Sequence, residues 1–211
     1  MILKGPNCHK IQTIIFDLDG VLLFPWRFQR YLEENHNWTI DQLLAFFKGD
    51  FVSCMRGEND LKTVLPAYLD RWGWTGTVDE FVNLWFEVEN CVDERVLDLV
   101  QDVRKDGYGC CLATNQERYR AAYVREKMGL ASSFDKMFFS CEMKFVKPER
   151  QYFDLVRSRL NVSAESLLFI DDSRKFVEGA REAGWQAIRY TTFDQLFEED
   201  SKGSPRLYFS R

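Results

Sequence analysis

The sequence predicts an α/β fold, a doubly wound parallel sheet interrupted after its first strand by an inserted helical unit. Three observations carry this expectation. Short apolar runs at 13–16, 109–113, 136–139, 167–170 and 187–190 are too short for helices and read as strands buried on both faces, as in a parallel sheet. Amphipathic helical patterns alternate with these runs over the second half of the chain. Residues 24–91 break the alternation, with aromatic and leucine residues at helical spacing and no convincing buried strand.

Taken in order, the first run, Ile14-Ile15-Phe16, delivers Asp17 and Asp19 into a turn at Gly20. On a strand, where side chains alternate with period two, both carboxylates share one face. Two like charges that close are costly unless a cation sits between them or one acid stays protonated. In the insertion, Phe28, Leu32, Leu43, Phe46, Leu69 and Trp85 belong to a long aromatic and leucine stripe that reads as core packing rather than a cofactor box. Next, a helix is expected over 93–105, with Val96, Leu99, Val100 and Val103 on one face and Gly107 just beyond its end. Another spans 117–127 and stops near Gly129. A third spans 148–160, its Pro148-Glu149 start suiting a first helical turn. The last, 173–183, follows Asp171-Asp172-Ser173, residues suited to an N-cap, and ends at Gly184.

Composition narrows the function classes. A chain of 211 residues with 45% hydrophobic content is long enough for one sizeable core with a smaller insertion. The net charge of -5 argues against a general nucleic-acid binder. No apolar run approaches the roughly 18 residues of a membrane span, and residues 1–10 carry no stretch like a secretory leader. Six cysteines form no C-x-x-C pair, so free thiols in a reducing cytoplasm are expected. His9 and His36, the two histidines, have no partners at metal-ligand spacing and read as surface residues, which disfavours His-dependent nucleophilic mechanisms.

Ligands of open α/β sheets bind at the carboxyl ends of the strands. Here those ends carry Asp17 and Asp19, Thr114 and Asn115, and Asp171 and Asp172, while the loop after the 136–139 run carries Lys147-Pro148. Carboxylates converging to about 4 Å repel by roughly 4 kcal/mol per pair at an effective dielectric near 20. Lys147 offsets one charge, and a divalent cation with a preference for hard oxygen ligands offsets two more. The cluster therefore predicts Mg²⁺, and the cation with Lys147 would accept a phosphate, with Thr114 and nearby backbone N–H groups completing the cradle.

These four motifs in this order, with the segments Leu112-Ala113-Thr114-Asn115-Gln116 and Phe145-Val146-Lys147-Pro148-Glu149, resemble the haloacid dehalogenase-like hydrolase superfamily over essentially the whole chain. The insertion resembles the helical cap of its subfamily I. The resemblance implies a Rossmann-like core over 1–23 and 92–211 and a cap over 24–91. It implies that Asp17 attacks phosphorus to form an aspartyl-phosphate, and that Asp19 protonates the leaving oxygen and later deprotonates water. Thr114 and the amide of Asn115 would hold the phosphoryl group, and Lys147 would neutralise it and Asp17. Asp171 would ligate Mg²⁺ with Asp17 and the Asp19 main-chain oxygen, and Asp172 would act behind them or through a water.

The family reading is a Mg²⁺-dependent phosphatase acting on a small phosphorylated metabolite, as a monomer or homodimer, with no nucleic-acid or membrane partner. A phosphomutase uses the same core, and a binding or regulatory module would keep the fold without turnover. A dehalogenase needs no second Asp as acid, so Asp19 counts against it. Relatives often carry Asn where this chain has Phe176. The crossing into the cap, Phe24-Pro25-Trp26-Arg27, is unusually bulky, and the loop 50–59 with Arg56 and Gly57 is either substrate-facing or a plain helix connection. Arg27 and Arg56 are candidate substrate contacts.

Overall fold

A computed structural model describes residues 11–199 and 205–207. Its centre is a five-stranded parallel sheet of β1 (Thr13–Phe16), β2 (Gly109–Thr114), β3 (Lys136–Phe139), β4 (Leu167–Asp171) and β5 (Gln186–Arg189), in the order β3-β2-β1-β4-β5. In register, Thr13 lies opposite Gly109 on one side and Leu167 on the other. The pleat sends alternate residues into two cores: Ile14, Phe16, Cys110, Leu112, Leu168 and Ile170 into one, Ile15, Cys111, Ala113, Leu167 and Phe169 into the other. Burial on both faces is why these strands read as unbroken apolar runs rather than alternating ones. The expected strand 187–190 lies one residue earlier, because pairing of Leu168 with Gln186 sets where that edge strand begins.

The chain leaves the sheet after β1 and makes six helices before returning. They are α1 (Arg27–His36), α2 (Ile40–Phe47), α3 (Asp50–Met55), α4 (Leu61–Val64), α5 (Pro66–Trp72) and α6 (Val78–Val88). Their apolar faces meet in a separate, largely aromatic cluster that includes Phe28, Trp38, Phe46, Phe81 and Trp85. Phe28 stacks on Trp85 at 5.6 Å between centroids and meets Phe81 edge-on at 5.4 Å, offset geometries that aromatic pairs prefer. A capping box joins Thr77 and Glu80 at the start of α6. His36 is not a simple surface residue: it is half-buried among the rings of Tyr31, Trp38 and Trp74. His9 lies outside the described residues.

Beyond the insertion come α7 (Glu94–Lys105), α8 (Arg118–Glu126), the single turn α9 (Ser140–Met143), α10 (Arg150–Leu160) and α11 (Arg174–Glu182). Helix α7 buries Val96, Leu99, Val100 and Val103 as the spacing predicts. Helix α10 begins at Arg150 rather than at Pro148, because Glu149 stays outside the helix with its carboxylate taken by Arg56 and by the Val146 amide. A short antiparallel pair, β6 (Phe197–Glu199) and β7 (Pro205–Leu207), was not anticipated, since three-residue strands carry no usable periodicity. Among the described residues no helix is long and apolar enough to cross a membrane.

The helical unit rests on the sheet domain through polar latches. Arg56 donates two hydrogen bonds to the Glu149 carboxylate. Ser140 Oγ donates to Met55 O at 2.7 Å, and Lys144 Nζ donates to Gly57 O at 2.8 Å. Arg118 pairs with Asp60. These contacts seat the 50–59 segment directly over the carboxyl edge of the sheet.

Candidate active site

Strand β1 ends at Phe16, although the Asp17 amide still donates to Ile170 O at 2.9 Å. The chain then turns on the Leu18 carbonyl, which accepts from the amides of Val21, Leu22 and Leu23. Asp17 and Asp19 therefore do not share a pleat face as expected: the turn, not the strand, places them. Asp17 is buried beneath the sheet edge and Asp19 stands exposed, yet both line the same cavity. Gly20 makes the turn possible with φ +78, and a side chain there would collide with the Asp172 carboxylate.

Lys147 is the centre of the charge pattern. Its Nζ is fully buried and lies 2.8 Å from Asp17 Oδ1 and 2.6 Å from Asp171 Oδ2. The contact to Asp171 is a hydrogen bond, while that to Asp17 is an ion pair whose angle leaves Asp17 Oδ1 without a hydrogen-bond donor. The ammonium also faces the rings of Phe169 and Phe176 at 5.1 and 5.0 Å. Phe176 thus meets the lysine by a cation–π contact. Burial alone would lower the Lys147 pKa, but Asp17 and Asp171 outweigh it and hold the ammonium above its ordinary range.

The neighbouring strand ends supply the rest. Thr114, at the end of β2, is buried, with its hydroxyl 3.3 Å from Gln116 Nε2. That amide nitrogen also donates to Asp19 Oδ2 at 2.5 Å, so Gln116 ties the second aspartate to the threonine. The Asn115 side chain clamps the main chain of Lys147. Asp171 Oδ1 accepts from the Ser173 amide at 2.8 Å, so the aspartate rather than Ser173's own hydroxyl serves the start of α11.

Asp17, Asp171 and Asp172 each offer one carboxylate oxygen, all within 4.8 Å of one another. Burial first, and then Asp171, push the pKa of Asp17 well above its ordinary value, and the same two causes raise Asp172. The all-oxygen donor set, with the buried Asp17 Oδ1 met only by the Lys147 ion pair and by no hydrogen bond, fits a hard divalent cation such as Mg²⁺.

A cavity of about 370 Å³ lies between these residues and the helical unit. Phe24, Trp26, Phe51, Met55, Trp85 and Phe86 wall its upper part. Three charged residues there, Glu89, Glu117 and Arg120, escaped the sequence reading. Arg120 of α8 is buried, donates to Phe86 O at 3.0 Å and lies 3.7 Å from Glu89 Oε2. Burial, and after it the charge of Asp19, push the Glu89 carboxyl up to about 7. No local signal marks the Glu89–Arg120 pair, because Glu89 just follows α6 and Arg120 lies on α8, and only the tertiary fold brings them together. Of the candidate substrate contacts, Arg27 donates to Val88 O at 3.2 Å, Arg56 is taken up by Glu149, and neither is among the residues lining the cavity.

A family model described as haloacid dehalogenase-like hydrolase matches residues 11–184. A phosphorylated carbohydrates phosphatase of Thermotoga maritima is 25% identical over 187 residues, covering 84% of each chain. A HAD family enzyme of Bacteroides thetaiotaomicron superimposes with a TM-score of 0.74 at 20% identity, over 89% of this chain and 98% of that one. A structure of the same enzyme in complex with magnesium and inorganic phosphate gives a TM-score of 0.70 at 21% identity, over 89% and 100%. At these identities the solved structures establish the shared fold.

Proposed function

Since the chain belongs to the haloacid dehalogenase-like hydrolases, we propose that it is a Mg²⁺-dependent phosphatase acting on a small phosphorylated metabolite. The observation that carries the proposal is the buried Lys147 ammonium between Asp17 and Asp171, with Asp172 beside them at the floor of the cavity. Such a floor suits a phosphoryl group only if its own negative charge is offset. The relative from Thermotoga maritima, a phosphatase, supports the same reading.

In this reading Asp17, Asp171 and the Asp19 main-chain oxygen hold Mg²⁺, with Asp172 close behind. Bound there, the cation would neutralise the carboxylates and phosphoryl oxygens so that an anionic nucleophile can approach an anionic ester. An oxygen of Asp17 attacks phosphorus, the bond to the leaving oxygen breaks, and Asp19 gives that oxygen its proton. Asp19, now ionised, takes a proton from water as the water oxygen attacks phosphorus. The Asp17–phosphorus bond then breaks, which releases inorganic phosphate and restores the carboxylate. Lys147 stabilises the charge that builds on the phosphoryl oxygens, and Thr114 with the Asn115 amide orients it. Gln116 holds Asp19 in reach of the leaving oxygen.

Hydrolysis of p-nitrophenyl phosphate by purified protein tests this. Turnover that requires Mg²⁺, stops on chelation and is lost in Asp17→Asn is the expected result. Turnover that survives in Asp17→Asn would sink the nucleophile assignment.

A further inference from the structure

The upper cavity has a charge character that the phosphate chemistry does not use. Five carboxylates line the whole space, those of Asp17, Asp19, Glu89, Glu117 and Asp172, against two cations, Lys147 and Arg120. A Mg²⁺ ion and a phosphate dianion cancel one another, so the loaded cavity keeps its formal negative excess. Each cation already faces carboxylates of the chain. Lys147 is committed to Asp17 and Asp171. Arg120 is pinned over the Phe86 and Tyr123 rings at 5.2 and 5.6 Å, with one nitrogen on Phe86 O and the other buried without a hydrogen-bond partner.

Glu89 is the member of that pair that reaches open space, with its side chain 26% exposed against 4% for Arg120. Only its Oε2 is engaged, by Trp85 Nε1 at 2.9 Å and by Arg120. Arg120 therefore acts as a fixed counter-charge that positions Glu89. Phe24, Trp26, Trp85 and Phe86 line the same cavity as Glu89, and Trp85 meets it through the indole N–H. A carboxylate among aromatic rings is a setting that favours a positively charged nitrogen, through ion pairing and through the ring quadrupoles.

Building on the phosphatase reading, we infer that Glu89 is a specificity-determining residue that selects phosphomonoesters whose leaving group carries an ammonium nitrogen and rejects those carrying a second anion. A carboxylate-bearing leaving group would meet Glu89 and Asp19, with Arg120 already facing Glu89 at 3.7 Å. A short aminoalkyl ester would place its nitrogen against Glu89 while its phosphate sits at Lys147.

Three esters of similar size separate the possibilities at pH 7.5 with Mg²⁺: O-phosphoethanolamine, ethyl phosphate and 2-phosphoglycolate. The expected result for the wild-type protein is a kcat/KM at least 10-fold higher for the ammonium ester than for the carboxylate ester, carried mainly by KM. Glu89→Gln, which keeps the Trp85 hydrogen bond, is expected to cut that ratio about 10-fold. A carboxylate ester turned over as well as the ammonium ester, or a ratio unmoved in a folded Glu89→Gln, would overturn the inference. Should no ester react, including the neutral one, the phosphatase reading itself fails. Calorimetric binding of the two charged esters to the Mg²⁺-loaded wild-type protein then decides the charge preference: tighter ammonium ester supports it, and equal, reversed or absent binding overturns it.

Discussion

Asn115 holds Lys147 by its main chain: Asn115 Nδ2 donates to Lys147 O at 3.1 Å, and the Lys147 amide donates to Asn115 Oδ1 at 2.8 Å. This pair of bonds joins the end of β2 to the loop that carries the buried ammonium. Two sheet-edge segments far apart in sequence are thereby fixed to one geometry. Asn115→Ala should strand both backbone groups, at a cost of about 1–3 kcal/mol for each buried group left unpaired. With the ammonium less well placed, kcat should fall about 10-fold or more while KM moves less. Urea unfolding alongside steady-state kinetics checks both halves; an unchanged kcat in a destabilised variant would show that the clamp serves folding alone.

Lys147→Met removes the charge and keeps much of the volume. Asp17 and Asp171 would then face each other buried and without a cation. Breaking a buried pair in this way typically costs about 3–5 kcal/mol. Mg²⁺ should restore part of the stability, since it supplies positive charge to the same carboxylates. Activity should stay about 10²–10³-fold down, because a group aimed at the developing charge is gone. Thermal unfolding with and without Mg²⁺, set beside the aryl phosphate assay, separates these effects.

The metal-free protein should lose stability as pH rises from 5 to 8. Burial first raises the pKa values of Asp17, Asp172 and Glu89 in the fold. Each carboxyl therefore binds its proton more tightly folded than unfolded, and the folded state loses ground as the proton leaves. For Glu89 the loss starts above its ordinary 4.5 and is complete only above about 7, a contribution of up to about 3 kcal/mol. Mg²⁺ competes with protons for the aspartates, so it should raise the melting temperature more at pH 8 than at pH 5. A melting temperature independent of pH in chelator would refute the ionisation pattern.

The parts of the site written as local signals were legible in the sequence. Asp17, Thr114 and Asp171 each stand at the end of an apolar run, and Lys147 precedes a proline in the next loop. Parallel-sheet topology brings such ends together whatever the details of packing. Other features depend on long-range fit, which no periodicity records. Arg56 stands as a candidate substrate contact, and nothing nearby in sequence marks Glu149 as its partner. Glu89 and Arg120 meet only because the end of α6 docks on α8. Period-two alternation predicts Asp17 and Asp19 on one strand face, whereas the chain turns after β1 on the Leu18 carbonyl, which accepts from three following amides.

The Arg56–Glu149 latch carries the last prediction. Both side chains are partly buried, at 27% and 29% exposure, and the guanidinium makes two hydrogen bonds to one carboxylate. Such a bidentate pair is stronger than an exposed ion pair, and a double-mutant cycle should give a coupling of about 0.5–1.5 kcal/mol. Because the latch seats the 50–59 segment over the cavity, its loss should loosen closure of the helical unit. Arg56→Met and Glu149→Gln should then raise KM to a similar degree, and the double variant should be little worse than either. A direct substrate contact by Arg56 predicts the opposite pattern, a large KM effect in Arg56→Met with Glu149→Gln near wild type. Steady-state kinetics of the three variants on one aryl phosphate decides between a latch and a ligand.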